Sequence, residues 1–130
     1  RSRLDMLAWQ PRRRTLLLVE SKRLHNVDGV HSIVRDIGRI FRFRPQGQLG
    51  ALARHRFGVV LASTWNPKIA SWWKSTGRDP WPKGTSAWGA LPRDERRRVE
   101  GGCCDAVSLE TASVHPGRAH SLLYSVFPLA

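Results

Sequence analysis

A chain of 130 residues has room for one ordinary hydrophobic core and not for two full ones. Its 22 Lys and Arg against 10 Asp and Glu, a formal charge of +12, point to a polyanionic partner: nucleic acid first, with an anionic membrane surface as the competitor. No apolar run approaches the ~20 residues that span a bilayer and no hydrophobic signal core follows the basic N-terminus, so the expectation is a soluble, cytoplasmic protein with no membrane segment.

The charge is uneven: residues 1–64 hold 13 basic and 4 acidic side chains, residues 65–130 hold 9 and 6. The basic field therefore belongs mainly to the first half. Cys103 and Cys104 are adjacent, a spacing that allows only a strained disulfide and no zinc knuckle, in keeping with a reducing compartment.

In chain order, residues 4–9 and 15–22 are short runs rich in Leu and Val, separated by Gln10-Pro11-Arg12-Arg13-Arg14, where Pro and consecutive charges break any continuous element. This predicts a β-hairpin. Its second run, TLLLVESK, is apolar on both faces at first, as a covered central strand would be, and turns polar only at its C-terminal end. Asn26 to Gly29 then supplies turn residues, with Asp28 the expected N-cap of a helix over 30–44 whose apolar face is Val30, Ile33, Val34, Ile37, Ile40 and Phe41. The other face carries Arg35, Arg39 and Arg42, and Pro45 with Gly47 ends the helix. Leu49, Leu52, Ala53, Phe57, Val60 and Leu61 continue an apolar period that fits a second helix, while residues 57–62 equally fit a short buried strand; both readings stay open.

Beyond Ser63 the pattern changes. Trp65, Trp72, Trp73, Trp81 and Trp88 fall among Pro, Gly, Lys and Ser with no lasting period, which predicts a largely irregular extension over 64–130 beside a core over 1–63. Within it, RDERRRVE at 93–100 fits two exposed helical turns and 122–129 fits a strand, with His115 and His120 expected in a loop.

The chemistry converges on the hairpin. Glu20 and Lys22 are two apart on a strand and leave the same face, and the paired strand can bring Asp5 beside them. Mg²⁺ takes hard oxygen ligands, usually one or two carboxylates with waters and substrate phosphate oxygens. Asp5 and Glu20 supply that minimum, and a neighbouring Lys can orient a water or offset charge growing on phosphorus oxygens. The cluster's surplus negative charge is costly in a buried strand unless a cation offsets it.

With Asp5 in LDMLAW and Glu20-Ser21-Lys22 closing TLLLVESK, the chain resembles the PD-(D/E)xK nucleases of restriction-endonuclease-like fold. The resemblance covers about residues 3–62, including the helix and the ARH stretch at His55. It implies an α/β fold with a small mixed central sheet and flanking helices. It also implies Asp5 and Glu20 as ligands of Mg²⁺ (Mn²⁺ as the alternative), Lys22 as the catalytic water-orienting group, and a nucleic acid substrate, DNA first. Leu4 stands where the family often has Pro. The family's opening helix and strand have no counterpart before Asp5, so the core is expected to be incomplete at its N-terminus, and the Gln-x-x-x-Tyr pattern of the exonuclease branch is absent.

Arg12, Arg13 and Arg14 in the turn, and Arg35, Arg39 and Arg42 on the helix, are the expected phosphate-backbone contacts, with a plainly solvated face as the alternative for each. The Trp cluster permits base stacking, or simply anchors a core. The five His lack ligand spacing, and Walker, nucleophile-elbow and dinucleotide motifs are missing, which removes zinc, NTPase, Ser-hydrolase and dehydrogenase readings. Two functions remain: a metal-dependent nuclease domain, or a non-catalytic basic module that holds nucleic acid or an acidic protein.

Overall fold

A computed structural model of the chain describes residues 4–24, 26, 29–75, 86–110 and 119–130. A hairpin opens it: β1 (Met6–Gln10) pairs antiparallel with β2 (Thr15–Arg23) through the Pro11 to Arg14 turn, where Arg14 takes a left-handed φ of 49°. The carbonyl of Arg14 accepts the N–H groups of Arg54 at 2.9 Å and His55 at 3.1 Å, which ties the turn to the start of a later strand.

Helix α1 (Val30–Arg42) follows, close to the expected 30–44. Its N-cap is Gly29, whose N–H donates to Asn26 Oδ1 at 3.0 Å; Asp28, the expected cap, lies outside the described residues. The helix ends because Phe43 turns extended, ahead of an Arg44-Pro45 pair that disfavours helical geometry. Arg44 Nη1 donates to the carbonyls of Phe41 (2.8 Å) and Phe43 (3.1 Å), satisfying groups left over at the helix end. The two readings of 49–62 both materialise in succession, as the short helix α2 (Gln48–Leu52) and the strand β3 (His55–Thr64). Strand β3 runs parallel to β2, so β2, α1 and β3 form a crossover unit of the kind parallel pairing requires.

Residues 64–130 depart from the irregular extension expected of them. Among the described residues they form α3 (Pro67–Ser75), α4 (Ser86–Ala90), α5 (Arg93–Glu100), β4 (Cys103–Glu110) and β5 (Ala119–Pro128). Strand β5 lies inside the sheet, antiparallel to both β3 and β4, giving the order β1-β2-β3-β5-β4. His120 is therefore a strand residue rather than a loop residue; His115 lies outside the described residues. The mixed five-stranded open sheet with helices is an α/β arrangement.

One sheet face carries the core. The register aligns Leu18 with Gly58 and Gly58 with Phe127, and likewise Glu20 with Val60 and Val60 with Ser125. Against that face pack Ile33, Val34, Ile37 and Ile40 of α1, Ile69 and Trp73 of α3, Trp88 of α4 and Val99 of α5. Gly58 is dictated by this packing, since a Cβ there would run into the Phe127 ring and lie 2.9 Å from Ile40 Cγ2. Trp73 is fully buried and its Nε1 donates to the Tyr124 carbonyl at 3.3 Å. Two of the clustered tryptophans, Trp73 and Trp88, are thus core anchors, while Trp65 is exposed and stacks on His120 with ring centres 4.3 Å apart. Trp81 lies outside the described residues.

Candidate active site

At the C-terminal end of β2 the sequence's trio is drawn into a larger cluster. Asp5 precedes β1, and the Met6 to Val19 register brings it alongside Glu20 and Ser21. Its Oδ2 accepts the Ser21 backbone N–H at 2.7 Å and the Ser21 hydroxyl at 3.2 Å. That backbone hydrogen bond is the main reason the Asp5 carboxyl is held below its ordinary value, with further help from Glu20, Ser21 Oγ and Arg39 against a partial desolvation.

Glu20 behaves oppositely. It is only 2% exposed, and its carboxyl is pushed up to about 7, first by burial, then by its hydrogen bond to Asp5 and the negative charges of Asp5 and Asp36; Arg39 pulls the other way. Adjacent carboxylates with affinities driven apart share what proton there is, one ionised and the other poised near neutrality.

Helix α1 completes the cluster. Arg39 Nη1 lies 3.4 Å from Glu20 Oε1 and its Nη2 lies 3.0 Å from Asp36 Oδ1, while Lys22 Nζ lies 3.0 Å from Asp36 Oδ2. Lys22, Asp36, Arg39, Glu20 and Asp5 form one continuous network of three carboxylates and two cations. With every group ionised it keeps one uncompensated negative charge beside buried apolar side chains, and such a donor set suits a hard divalent cation held by Asp5 and Glu20. Asp36, 4% exposed, is committed to its two cations. Among the described residues no group of three or more His, Cys, Asp and Glu side chains is arranged to hold an ion; with Asp36 paired, Asp5 and Glu20 are the carboxylates of the cluster that could hold one.

Asp36 is the member that sequence reasoning missed. The signal was present: Asp36 falls on the apolar face of α1, three after Ile33 and four before Ile40, where a carboxylate needs a partner.

The six arginines expected to contact phosphates are not in one place. Arg39, with its side chain 37% exposed, points into the carboxylates, so it is removed from the helical stripe by its ion pairs. Arg35 and Arg42 are exposed. Arg12 and Arg13 are exposed and Arg14 half-buried in the hairpin turn, at least five residues along β2 from Glu20 and hence about 17 Å or more from it. A basic pole and an acidic pole thus occupy opposite ends of the hairpin.

Comparison of the chain with protein-family models, with curated proteins and with solved structures returns no match.

Proposed function

We propose that the protein is a metal-dependent nuclease domain that hydrolyses phosphodiesters of nucleic acid, DNA foremost, in a restriction-endonuclease-like version of its α/β fold. The observation that carries this reading is Glu20: a buried carboxyl set against Asp5, its pKa raised to about 7, in a network with more negative than positive charge. A structural ion-pair cluster gains nothing from a surplus carboxylate, whereas a cation site requires one.

In this reading Asp5 and Glu20 hold Mg²⁺, or Mn²⁺, and the ion when bound polarises the phosphodiester and acidifies a water. The other steps belong to the chain's own side chains. The Ser21 N–H fixes the carboxylate of Asp5. Asp36 fixes Lys22 Nζ, keeping an ammonium at the strand end to orient water or offset charge on the phosphorus oxygens. Arg39 bridges Asp36 and Glu20 and so limits the charge that a cation must neutralise. Arg12, Arg13, Arg14, Arg35 and Arg42 contribute electrostatic attraction to the phosphate backbone rather than chemistry. No described helix is long and apolar enough to cross a membrane, and the free thiols of Cys103 and Cys104 suit a cytoplasmic setting.

The rival is a non-catalytic basic module. It is favoured by one observation, the pairing of both Lys22 and Arg39 with Asp36, which is how a purely structural network would look. Incubation with linear and supercoiled DNA separates the two. The nuclease reading expects cleavage in Mg²⁺ or Mn²⁺, none in Ca²⁺ or chelator, and a drop of about 100-fold or more in Asp5→Asn, Glu20→Gln and Lys22→Ala with folding retained. DNA binding with no metal-dependent cleavage of any substrate favours the rival, whereas cleavage that survives Glu20→Gln points to a contaminating enzyme or a different site.

A further inference from the structure

Beyond the C-terminal end of α1 lies a cavity of about 550 Å³, within the range of small-molecule sites, that neither the motif nor the carboxylate cluster uses. Its rim carries four guanidinium groups, from Arg42 at the end of α1, Arg44 just after it, Arg56 at the start of β3 and Arg98 on α5. Two of them are held in place. Arg44 donates to the Phe41 and Phe43 carbonyls, and Arg56 Nη2 donates to the Gly50 carbonyl. A guanidinium has five N–H donors in a planar fork, so both keep donors for a ligand.

Two carboxylates share the rim, Asp94 and Glu95. Among the described residues neither forms an ion pair with the four arginines; the salt bridges there all belong to the Lys22 to Glu20 network. Glu95 is raised above its ordinary value by burial and by Asp94, with Arg42 opposing, so its negative charge is already disfavoured. The side chains of the rim sum to an excess of two positive charges around the cavity, and bidentate recognition by guanidinium favours phosphate. The remaining wall is apolar and partly aromatic: Phe41, which stacks on Phe127, and Phe43 beside Pro45. Such a wall accepts the face of a base or similar ring, and cation–π contact with the arginines adds to stacking.

We propose that this cavity binds a nucleoside monophosphate, either free or as the phosphorylated end of a strand, with the phosphate among Arg42, Arg44, Arg56 and Arg98 and the base against Phe43. The site stands apart from the proposed metal centre, because none of its residues belongs to the carboxylate cluster; Arg42 alone is shared with the arginines proposed to attract the phosphate backbone.

The test is calorimetric titration of the protein with adenosine monophosphate, adenosine and inorganic phosphate, and with short oligonucleotides carrying a 5′-phosphate or a 5′-hydroxyl. Expected are submillimolar binding of the monophosphate, binding of adenosine weaker by about tenfold or more, and affinity lower by about tenfold or more in an Arg42→Gln, Arg98→Gln double variant of unchanged Tm. Arg98→Lys, which keeps the charge and removes the fork, should fall between. A stronger phosphate dependence for the mononucleotide assigns the free ligand, and a stronger one for the oligonucleotide assigns a strand end. Equal affinity for adenosine and its monophosphate, equal binding by the double variant, or a drop in Glu20→Gln as large as in the double variant would overturn the proposal.

Discussion

Helix α1 meets two opposite electrostatic environments within two turns. At Asp36 and Arg39 its charged side chains turn inward and close on Glu20 and Lys22, so every cation there has a carboxylate partner. At Arg42, and at Arg44 just past the helix end, the guanidinium groups border a cavity together with Arg56 and Arg98. The same residue type therefore does two jobs on one helix, and the +12 net charge cannot say which arginine does which. What separates them is whether the register of the neighbouring strand delivers a carboxylate.

The largest effect expected from breaking the comparison is at Glu20. A carboxyl whose pKa rises on folding contributes stability that is complete below its unfolded value near 4.5 and disappears as the pH climbs through its folded value of about 7. Across that window the change amounts to roughly 3 kcal/mol. Glu20→Gln should abolish this slope, leaving a protein more stable than the parent above pH 7 and no more stable near pH 4, as urea melts across pH would show. Parallel pH profiles for the two proteins would remove the basis for a poised carboxyl.

Next comes Asp36. Neutralising it leaves Lys22 without its carboxylate and Arg39 with Glu20 alone, and Asp36→Asn should cost about 2 kcal/mol by chemical denaturation. Lys22→Ala in the Asp36→Asn background should then cost little more, because the pair acts as a unit. Additive costs would mean that the two side chains do not depend on each other.

The smallest effect is at the basic pole. Replacing Arg12 and Arg13 by Gln should weaken DNA binding a few-fold, and flatten the salt dependence by about one unit of slope for each phosphate no longer neutralised. Lys22→Ala should leave binding nearly intact. An unchanged salt slope in the arginine variants would place the phosphate backbone elsewhere.

Much of the first half is legible in the amino-acid sequence, and the reason is local. TLLLVESK reads as a covered strand because Leu16 and Leu18 face the core while Val19 is buried on the other side, and α1 reads as a helix because Ile33, Ile37 and Ile40 fall on one stripe. The second half is illegible because its partners are distant in sequence. Among the described side chains of strand β4, Cys104 and Ala106 lie against the core, too small a signal to stand out, and β5 alternates Ser121, Leu123 and Ser125 on its buried side. Its identity as an interior strand depends on pairing with β3, some 60 residues earlier. Of the site, Asp5, Glu20 and Lys22 can be read from spacing, whereas helical periodicity groups Arg39 with Arg35 and Arg42 and so points it at the wrong partner. Only the approach of β2 reveals that it faces carboxylates.

The measurement that bears most directly on the central claim is a Mn²⁺ titration followed by electron paramagnetic resonance at pH 7.5, on the parent protein, Asp5→Asn and Glu20→Gln. The account predicts one ion bound per chain by the parent, displaced by Mg²⁺, weakened at pH 5.5 as Glu20 takes up its proton, and absent in both variants. No bound ion in the parent, or an ion retained unchanged by Glu20→Gln, would contradict it.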